Sequence, residues 1–168
     1  MDYSYPIYDT ALFGAAAGVT HTLFAVGEGG DAVHTPDFTN MRGNGFFPAA
    51  EKYTVRKISV FAESLLTLAD RTNWLLLSFL KVTIANNLVF QAPLAMLVNH
   101  SAYSGALSVA VVADNTLIDR EGNGYMFDPV LLIGNGQSFK VEVVQGTATA
   151  ASQRIKCVLD GILTRQSQ

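Results

Sequence analysis

The chain has 168 residues, of which 49% are apolar and only 15% are charged, and its net charge is −3 at pH 7. This length suits one domain with a sizeable core. The composition excludes an intrinsically disordered chain, which needs low hydrophobicity and high net charge. Soluble domains carry about 25% charged residues, so we expect part of this surface to be covered by another subunit, a lipid face or a partner. We treat residues 1–168 as a single domain, with residues 1–19 as an extended N-terminal arm.

The predicted elements follow one another as short apolar runs rich in Val, Ile, Leu, Phe and Thr, separated by Gly, Asn, Asp and Pro. This punctuation is typical of strands and turns. In chain order, we predict strands at residues 20–26, 52–62, 74–84, 88–91, 104–113, 125–133, 138–144 and 154–163. The run 74–84 is apolar on both faces, as in a central strand or one beneath an interface, and residues 63–71 are predicted as one or two helical turns or a loop. Pro129 in the sixth run predicts a sheet edge or a bulge.

Eight strands with almost no helix indicate an all-β sandwich or barrel. The connections at residues 31–48 and 94–103 are long, and an up-and-down barrel built from short hairpins would not need them. We therefore predict an all-β fold: a single eight-stranded jelly-roll sandwich of two four-stranded antiparallel sheets, with little helix.

The sequence meets the usual criteria for neither a membrane span nor a signal peptide. Residues 82–113 carry no Lys, Arg, Asp or Glu, but polar residues and Pro interrupt the run, and a spanning helix needs roughly 20 mainly apolar residues. The first ten residues hold the acids Asp2 and Asp9 and no base, whereas a signal peptide begins with basic residues. The basic residues form no dense cluster, so we expect no direct contact with nucleic acid.

The sequence lacks the common catalytic, nucleotide-binding and metal-binding motifs. The sequence holds no G-x-S-x-G, P-loop or H-E-x-x-H motif, and no G-x-G-x-x-G follows a predicted strand. His21, His34 and His100 lack the close pairing of metal-binding cupins. Cys157 is the only cysteine, which excludes an internal disulfide and a structural zinc site and indicates a buried thiol in the last strand. We therefore predict a protein that is not an enzyme, with no catalytic, metal or cofactor-binding residue and no cofactor.

The loop at residues 114–124 leaves one question open. Asp119, Glu121 and Asn123 place oxygen ligands at alternate positions, as calcium loops do. An EF-hand needs more donors and a closing Glu. A solvated turn is the simpler interpretation, and ion binding by this loop is not decided by the sequence.

Aromatic residues outside the predicted strands are the candidates for function. There are seven of them, in segments rich in Gly and Pro: Tyr3, Tyr5, Tyr8, Phe13, Phe38, Phe46 and Phe47. One interpretation is that they plug the ends of the sandwich. Another is that they anchor a subunit contact, where Tyr and Phe are enriched; a sugar-stacking surface is the third. We take these seven as subunit-interface candidates.

Two stretches resemble the core hairpins of small single-jelly-roll virion proteins. They are LKVTIANNLVFQAPLAML at residues 80–97 and FDPVLLIGNGQSFKVEVV at residues 127–144. The chain is most similar to the smaller major capsid protein of tailless icosahedral viruses with an inner membrane, the sphaerolipovirus type of thermophilic phages and halophilic archaeal viruses. The halophilic members are expected to be far more acidic than −3, so the chain looks more like a bacteriophage protein.

The resemblance implies a structural protein of the virion shell, synthesised in the host cytoplasm, that self-associates as a dimer or higher oligomer. It also implies a second, larger jelly-roll capsid protein as a partner and an underlying membrane or membrane protein. In such a protein the strands that begin at residues 20, 74, 125 and 154 form the B-I-D-G sheet, and those that begin at 52, 88, 104 and 138 form the C-H-E-F sheet. Low charge suits this role, because subunits then pack without desolvating many ions.

A rival class is a jelly-roll carbohydrate- or receptor-binding module on a virion or cell surface. It predicts exposed Trp or Tyr residues on one rim, with Tyr103 and Tyr125 as candidates and Trp74 as the only tryptophan. An enzyme would instead need a cleft where titratable groups converge, and the sequence offers no candidate for one.

Overall fold

The computed structural model describes residues 1–32, 34–62, 68–98, 124–150 and 152–165. The strands are β1 (Asp2–Ser4), β2 (Ile7–Phe13), β3 (Thr20–Leu23), β4 (Glu51–Ala62), β5 (Phe79–Ile84), β6 (Asn87–Pro93), β7 (Tyr125–Ile133), β8 (Phe139–Val144) and β9 (Gln153–Arg165), and the helices are α1 (Leu68–Leu77) and a 3₁₀ turn (Leu94–Met96). The predicted strand at 104–113, the loop at 114–123, His100 and Tyr103 lie outside the described residues.

The strands form two antiparallel sheets. The first holds β1, β2, β9, β4 and β7, and the second has the order β3-β8-β5-β6. Both β1 and β2 pair with β9, since Ser4 lies opposite Ile162 and Ile7 lies opposite Leu159. The two are therefore successive halves of one edge strand, interrupted around Pro6, which has no N–H to donate to a sheet.

Chain order and sheet order together define the topology. When β1 and β2 are counted as one strand B, the strands β3 to β9 become C to I in chain order. The first sheet then has the order B-I-D-G and the second has the order C-H-E-F, which is the arrangement of a jelly roll. The predicted all-β fold, an eight-stranded jelly-roll sandwich of two antiparallel sheets with little helix, is confirmed.

The predicted assignment of runs to sheets is wrong in the first half of the chain. It took residues 20–26 as strand B, whereas B is formed by β1 and β2 together and β3 is strand C. As a result β3, β4 and β5 each lie in the sheet opposite to the predicted one, and β6 takes the edge position F instead of E. The three strands from residue 125 onward keep their predicted letters. The sequence hid strand B because β2 buries Asp9 and Thr10, so its polar residues do not mark a solvent face.

Residues 1–19, interpreted as an extended arm, supply two strands to this chain's own first sheet. Ile7 and Phe13 of β2 are buried in the core. The main chain of Tyr5, between the two strands, also donates a hydrogen bond to the carbonyl oxygen of Gly161 at 3.1 Å. Residues 1–13, the larger part of the predicted arm, therefore pack along this chain's own sandwich.

The predicted strand at 74–84 is a strand only in its second half. Helix α1 continues to Leu77, and β5 begins at Phe79 with the regular alternation of buried and half-buried residues expected of a strand with one solvent-facing side. In α1, Trp74 is buried while Leu76 and Leu77 are exposed. An apolar run without polar spacing does not distinguish helix from strand, which explains the error. No helix in the described part of the chain is long and apolar enough to cross a membrane.

Strand β7 behaves as Pro129 predicted. Within the described residues β7 is the last strand of the first sheet and pairs only with β4. A shift in register between Val55 and Lys57 of β4 marks a bulge opposite the proline. The Asp128–Pro129 peptide bond is cis.

The core lies between the two sheets. The first sheet contributes Tyr53, Val55, Ile58, Ile155, Cys157 and Leu159, and the second contributes Leu80, Val82, Phe139, Val141 and Val143. Cys157 is fully buried in β9, as predicted. Gly161 is required where β9 passes β4, because a Cβ atom there would lie 2.2 Å from the carbonyl oxygen of Thr54.

Candidate functional site

Four of the seven interface candidates come together at one place. Tyr3, Tyr5, Phe46 and Phe47 line a cavity of about 330 Å³, here called the groove, between the first strand and the loop at residues 40–48. Tyr3 and Phe46 are exposed, whereas Phe47 is buried and its ring stacks on Phe139 with a centroid separation of 5.6 Å. The sequence did not predict that residues near position 4 lie beside residues near position 46. The pairing of β1 with β9 places them together.

The floor of the groove is apolar and its rim is charged. Ile7, Met41 and Leu163 are buried at the floor. At the rim, Nε of Arg165 donates to Oε1 of Glu51 at 2.7 Å. Arg42 is exposed on the loop side of the rim. The groove therefore combines apolar surface with more positive than negative side chains.

Tyr8 lies outside the groove, on the outer side of the first sheet. The Tyr8 ring lies under Nζ of Lys156 at 4.7 Å, and its hydroxyl donates to the carbonyl oxygen of Pro36 at 2.6 Å. Phe38 is placed in the same way, with the guanidinium of Arg154 at 4.8 Å from its ring. Both rings hold the loop at residues 35–41 against the sheet through intramolecular contacts.

That loop runs along the free edge of β2 and closes it. The main-chain N–H of Tyr8 donates to Oδ1 of Asn40 at 2.8 Å, and the N–H of Asn40 donates to the carbonyl oxygen of Tyr8 at 3.2 Å. Nδ2 of Asn40 also donates to the carbonyl oxygen of Pro6 at 2.9 Å. One asparagine thus imitates a neighbouring strand, and the backbone groups it binds are unavailable to another chain.

Phe13 belongs to the core. Its ring stacks on His21 with a centroid separation of 4.7 Å and meets Trp74 edge-on at 6.2 Å. Nε2 of His21 lies 3.2 Å from Oε1 of Gln145. The contacts of Phe13 and Phe47 therefore favour the interpretation that these two side chains fill the ends of the sandwich.

Asp9 is a buried acid whose role the sequence pattern did not reveal. Its carboxylate accepts hydrogen bonds from the N–H groups of Thr10, at 2.9 Å, and of Phe24. Phe24 has a φ of 64°, a left-handed conformation that is rare for a bulky residue. Burial raises the pKa of Asp9. The carboxyl joins β2 in the first sheet to the end of β3 in the second.

A second surface, at the opposite side of the sandwich, was not predicted. Here β6 and β7, the end strands of the two described sheets, meet through the ring of Phe90, whose centroid lies 4.9 Å from those of both Tyr125 and Phe127. Five large apolar side chains on these strands are exposed by 40–62%: Leu88, Val89, Met126, Val130 and Leu132. We call these five residues the apolar edge. The sequence signal was present, since β6 and β7 hold apolar residues at successive positions, but it did not show which face was outside.

The described residues contain no group of three or more His, Cys, Asp or Glu side chains that could hold a metal ion. Nδ1 of His34 lies 2.7 Å from Oδ1 of Asp31, a pairing that the sequence analysis did not predict.

Comparison of the chain with protein-family models, with curated proteins and with solved structures found no match.

Proposed function

We propose that the chain is a structural virion protein, a single-jelly-roll capsid subunit that self-associates and packs with a second, larger capsid protein in an icosahedral shell. The observation that carries the proposal is the apolar edge on a sandwich of jelly-roll topology. Several large apolar side chains exposed on the edge strands at one side of a domain indicate a surface that an assembly buries.

The chemistry of this surface favours association between proteins. Val89, Met126 and Leu132 carry no charge, so burying them against a neighbour requires no desolvation of ions. Burial of apolar area is favourable by roughly 25 cal/mol per Å². The low overall content of charged residues, 15%, extends the same property to the rest of the surface.

The groove supplies a second contact region, remote from the first. Among the described strands, β1 and β7 lie at the two edges of the first sheet, with β9 and β4 between them, and adjacent strands lie about 4.8 Å apart. A subunit in a closed shell must contact several neighbours at once. Two separated surfaces of different character, one apolar and one mixed, suit a subunit that binds both its own copies and a different protein.

Self-association of the purified full chain tests the proposal. We expect sedimentation velocity and light scattering to show dimers or larger species at micromolar concentration, and a strict monomer at high concentration would contradict it. Leu132→Lys should shift the population toward monomer. Leu12→Lys is the matched control, because Leu12 is an exposed leucine on β2, at the other edge of the same sheet. Circular dichroism establishes that both variants fold.

The alternative, a carbohydrate- or receptor-binding module, gains no specific support from the aromatic residues. Trp74 is only 1% exposed and is not available for stacking on a sugar. Tyr125 is half-buried and packs against Phe90 and Phe127. Glycan binding by the wild type that is lost in Tyr125→Ala would nevertheless favour this alternative over the capsid proposal.

A further inference from the structure

The groove has the form of a small-molecule site. Its volume of about 330 Å³ falls at the lower end of the range of about 300–1,000 Å³ that is typical of such sites. Met41, Phe47 and Leu163 give it an apolar floor that is 2–6% exposed. An apolar floor of this size accommodates a short aliphatic chain or a single ring.

The charges at the rim define the other end of the ligand. Two guanidinium groups, of Arg42 and Arg165, and one carboxylate, of Glu51, line the groove. Oε1 of Glu51 accepts a hydrogen bond from Nε of Arg165 at 2.7 Å, so these two opposite charges offset each other. Arg42 has no ion pair within 4.0 Å among the described residues. The rim thus has an excess of one positive charge, carried by a side chain suited to bidentate binding of a carboxylate.

We infer that the groove binds a small amphipathic monocarboxylate, with the apolar body on the floor and the carboxylate at Arg42. The single positive charge of Arg42 would not neutralise a doubly charged phosphate. An uncharged apolar molecule would make no use of the Arg42 guanidinium. The inference does not rest on the capsid proposal, because a monomeric chain carries the whole groove.

Calorimetric titration of the full chain with octanoate, octan-1-ol and octylammonium tests the inference. We expect saturable binding of one octanoate per chain, about tenfold tighter than octan-1-ol, and no measurable binding of octylammonium. Arg42→Met should weaken octanoate binding about tenfold and leave octan-1-ol unaffected. Arg56→Met is the matched control, since Arg56 is an exposed arginine on β4 that does not line the groove, and it should leave both affinities unchanged.

Three outcomes would overturn the inference. One is equal affinity for octanoate and octan-1-ol, since the arginines would then take no part in binding. Another is an equal loss in Arg42→Met and Arg56→Met, which would indicate nonspecific attraction of an anion. The third is no binding of octanoate where an extended apolar peptide binds, which would leave the groove only as the protein contact region of the capsid proposal. Because sedimentation reports self-association separately, failure here and failure of the capsid proposal are distinguishable.

Discussion

The two lateral sides of the sandwich differ in what covers their edge strands. On the side of β2 and β3, the loop at residues 35–41 covers the free edge of the sheet, and Asn40 satisfies the backbone groups of Pro6 and Tyr8. On the side of β6 and β7, large apolar side chains such as Leu88 and Met126 point to solvent.

On the proposal that the chain self-associates, this difference separates the part of the fold that stabilises the single chain from the part that contacts neighbours. An edge strand whose donors and acceptors are already bound cannot template a neighbouring strand, so the β2 side contributes to the stability of the single chain. Exposed apolar side chains contribute little until another surface removes them from water. Changes on the β2 side should therefore act on folding, and changes on the β6–β7 side should act on assembly.

Removing the buried carboxylate should produce the largest effect. Asp9→Ala leaves the N–H groups of Thr10 and Phe24 without their acceptor and should lower the free energy of unfolding by about 3 kcal/mol, since a buried unsatisfied donor costs roughly 1–3 kcal/mol. Urea unfolding followed by circular dichroism measures this. Asp37→Ala, at an exposed acid of the covering loop, is the control. Equal stability of the two variants would show that Asp9 does not hold the two sheets together.

A double change at the apolar edge should come next, and should act on assembly alone. Leu88→Lys combined with Met126→Lys places a charge on each of the two strands and should weaken self-association about 30-fold, or about 2 kcal/mol, if both lie in the contact. The concentration dependence of sedimentation measures it, with the melting temperature as the control for folding. A lower melting temperature with unchanged association would reverse the roles assigned to the two sides.

Opening the covered edge should have a moderate effect. Asn40→Ala removes the acceptor of the Tyr8 N–H and the donor to the Pro6 carbonyl, which should reduce stability by about 1.5 kcal/mol. Asn73→Ala, at an exposed position of α1, should change stability by less than about 0.5 kcal/mol. Because the freed edge can then pair with other chains, Asn40→Ala should also aggregate faster on storage, which light scattering would detect.

The dependence of stability on pH should give the smallest effect. Burial raises the pKa of Asp9 above its unfolded value, although the hydrogen bonds from the N–H groups of Phe24 and Thr10 oppose this. The folded state therefore holds the Asp9 proton more readily. The part of the stability that is linked to this proton is complete below the unfolded pKa of about 3.9 and is lost as pH rises through the folded pKa. The stability of the wild type relative to Asp9→Asn should decline between pH 4 and neutral pH. A relative stability that increases over this range would contradict the raised pKa.

The ease of prediction differed between the two halves of the chain for a physical reason. In β8, Phe139, Val141 and Val143 are buried and the residues between them are not, so alternation alone identified the strand and its inner face. In β2, Asp9 is buried because Phe24 and Thr10 satisfy its carboxylate. Those partners are not apparent from the local sequence, and no local pattern distinguishes a satisfied buried acid from an exposed one.

The candidate site was predictable in part. The aromatic residues were identified from their position outside the predicted strands, and Tyr3, Tyr5, Phe46 and Phe47 do converge. Their convergence depends on β1 pairing with β9, whose sequence separation exceeds 150 residues. The apolar edge was missed because it consists of ordinary strand residues whose exposure depends on where the sheets end.

The sequence by itself determined the fold class, the burial of Cys157 and the boundaries of β4 and β7 to within one residue, because period-two alternation and turn residues are local properties. Only the tertiary structure decided which segments form strand B, to which of the two sheets each of β3, β4 and β5 belongs, and which apolar residues remain exposed. These depend on pairing between distant segments and on hydrogen bonds to buried polar groups, and both arise only when the two sheets have closed on each other.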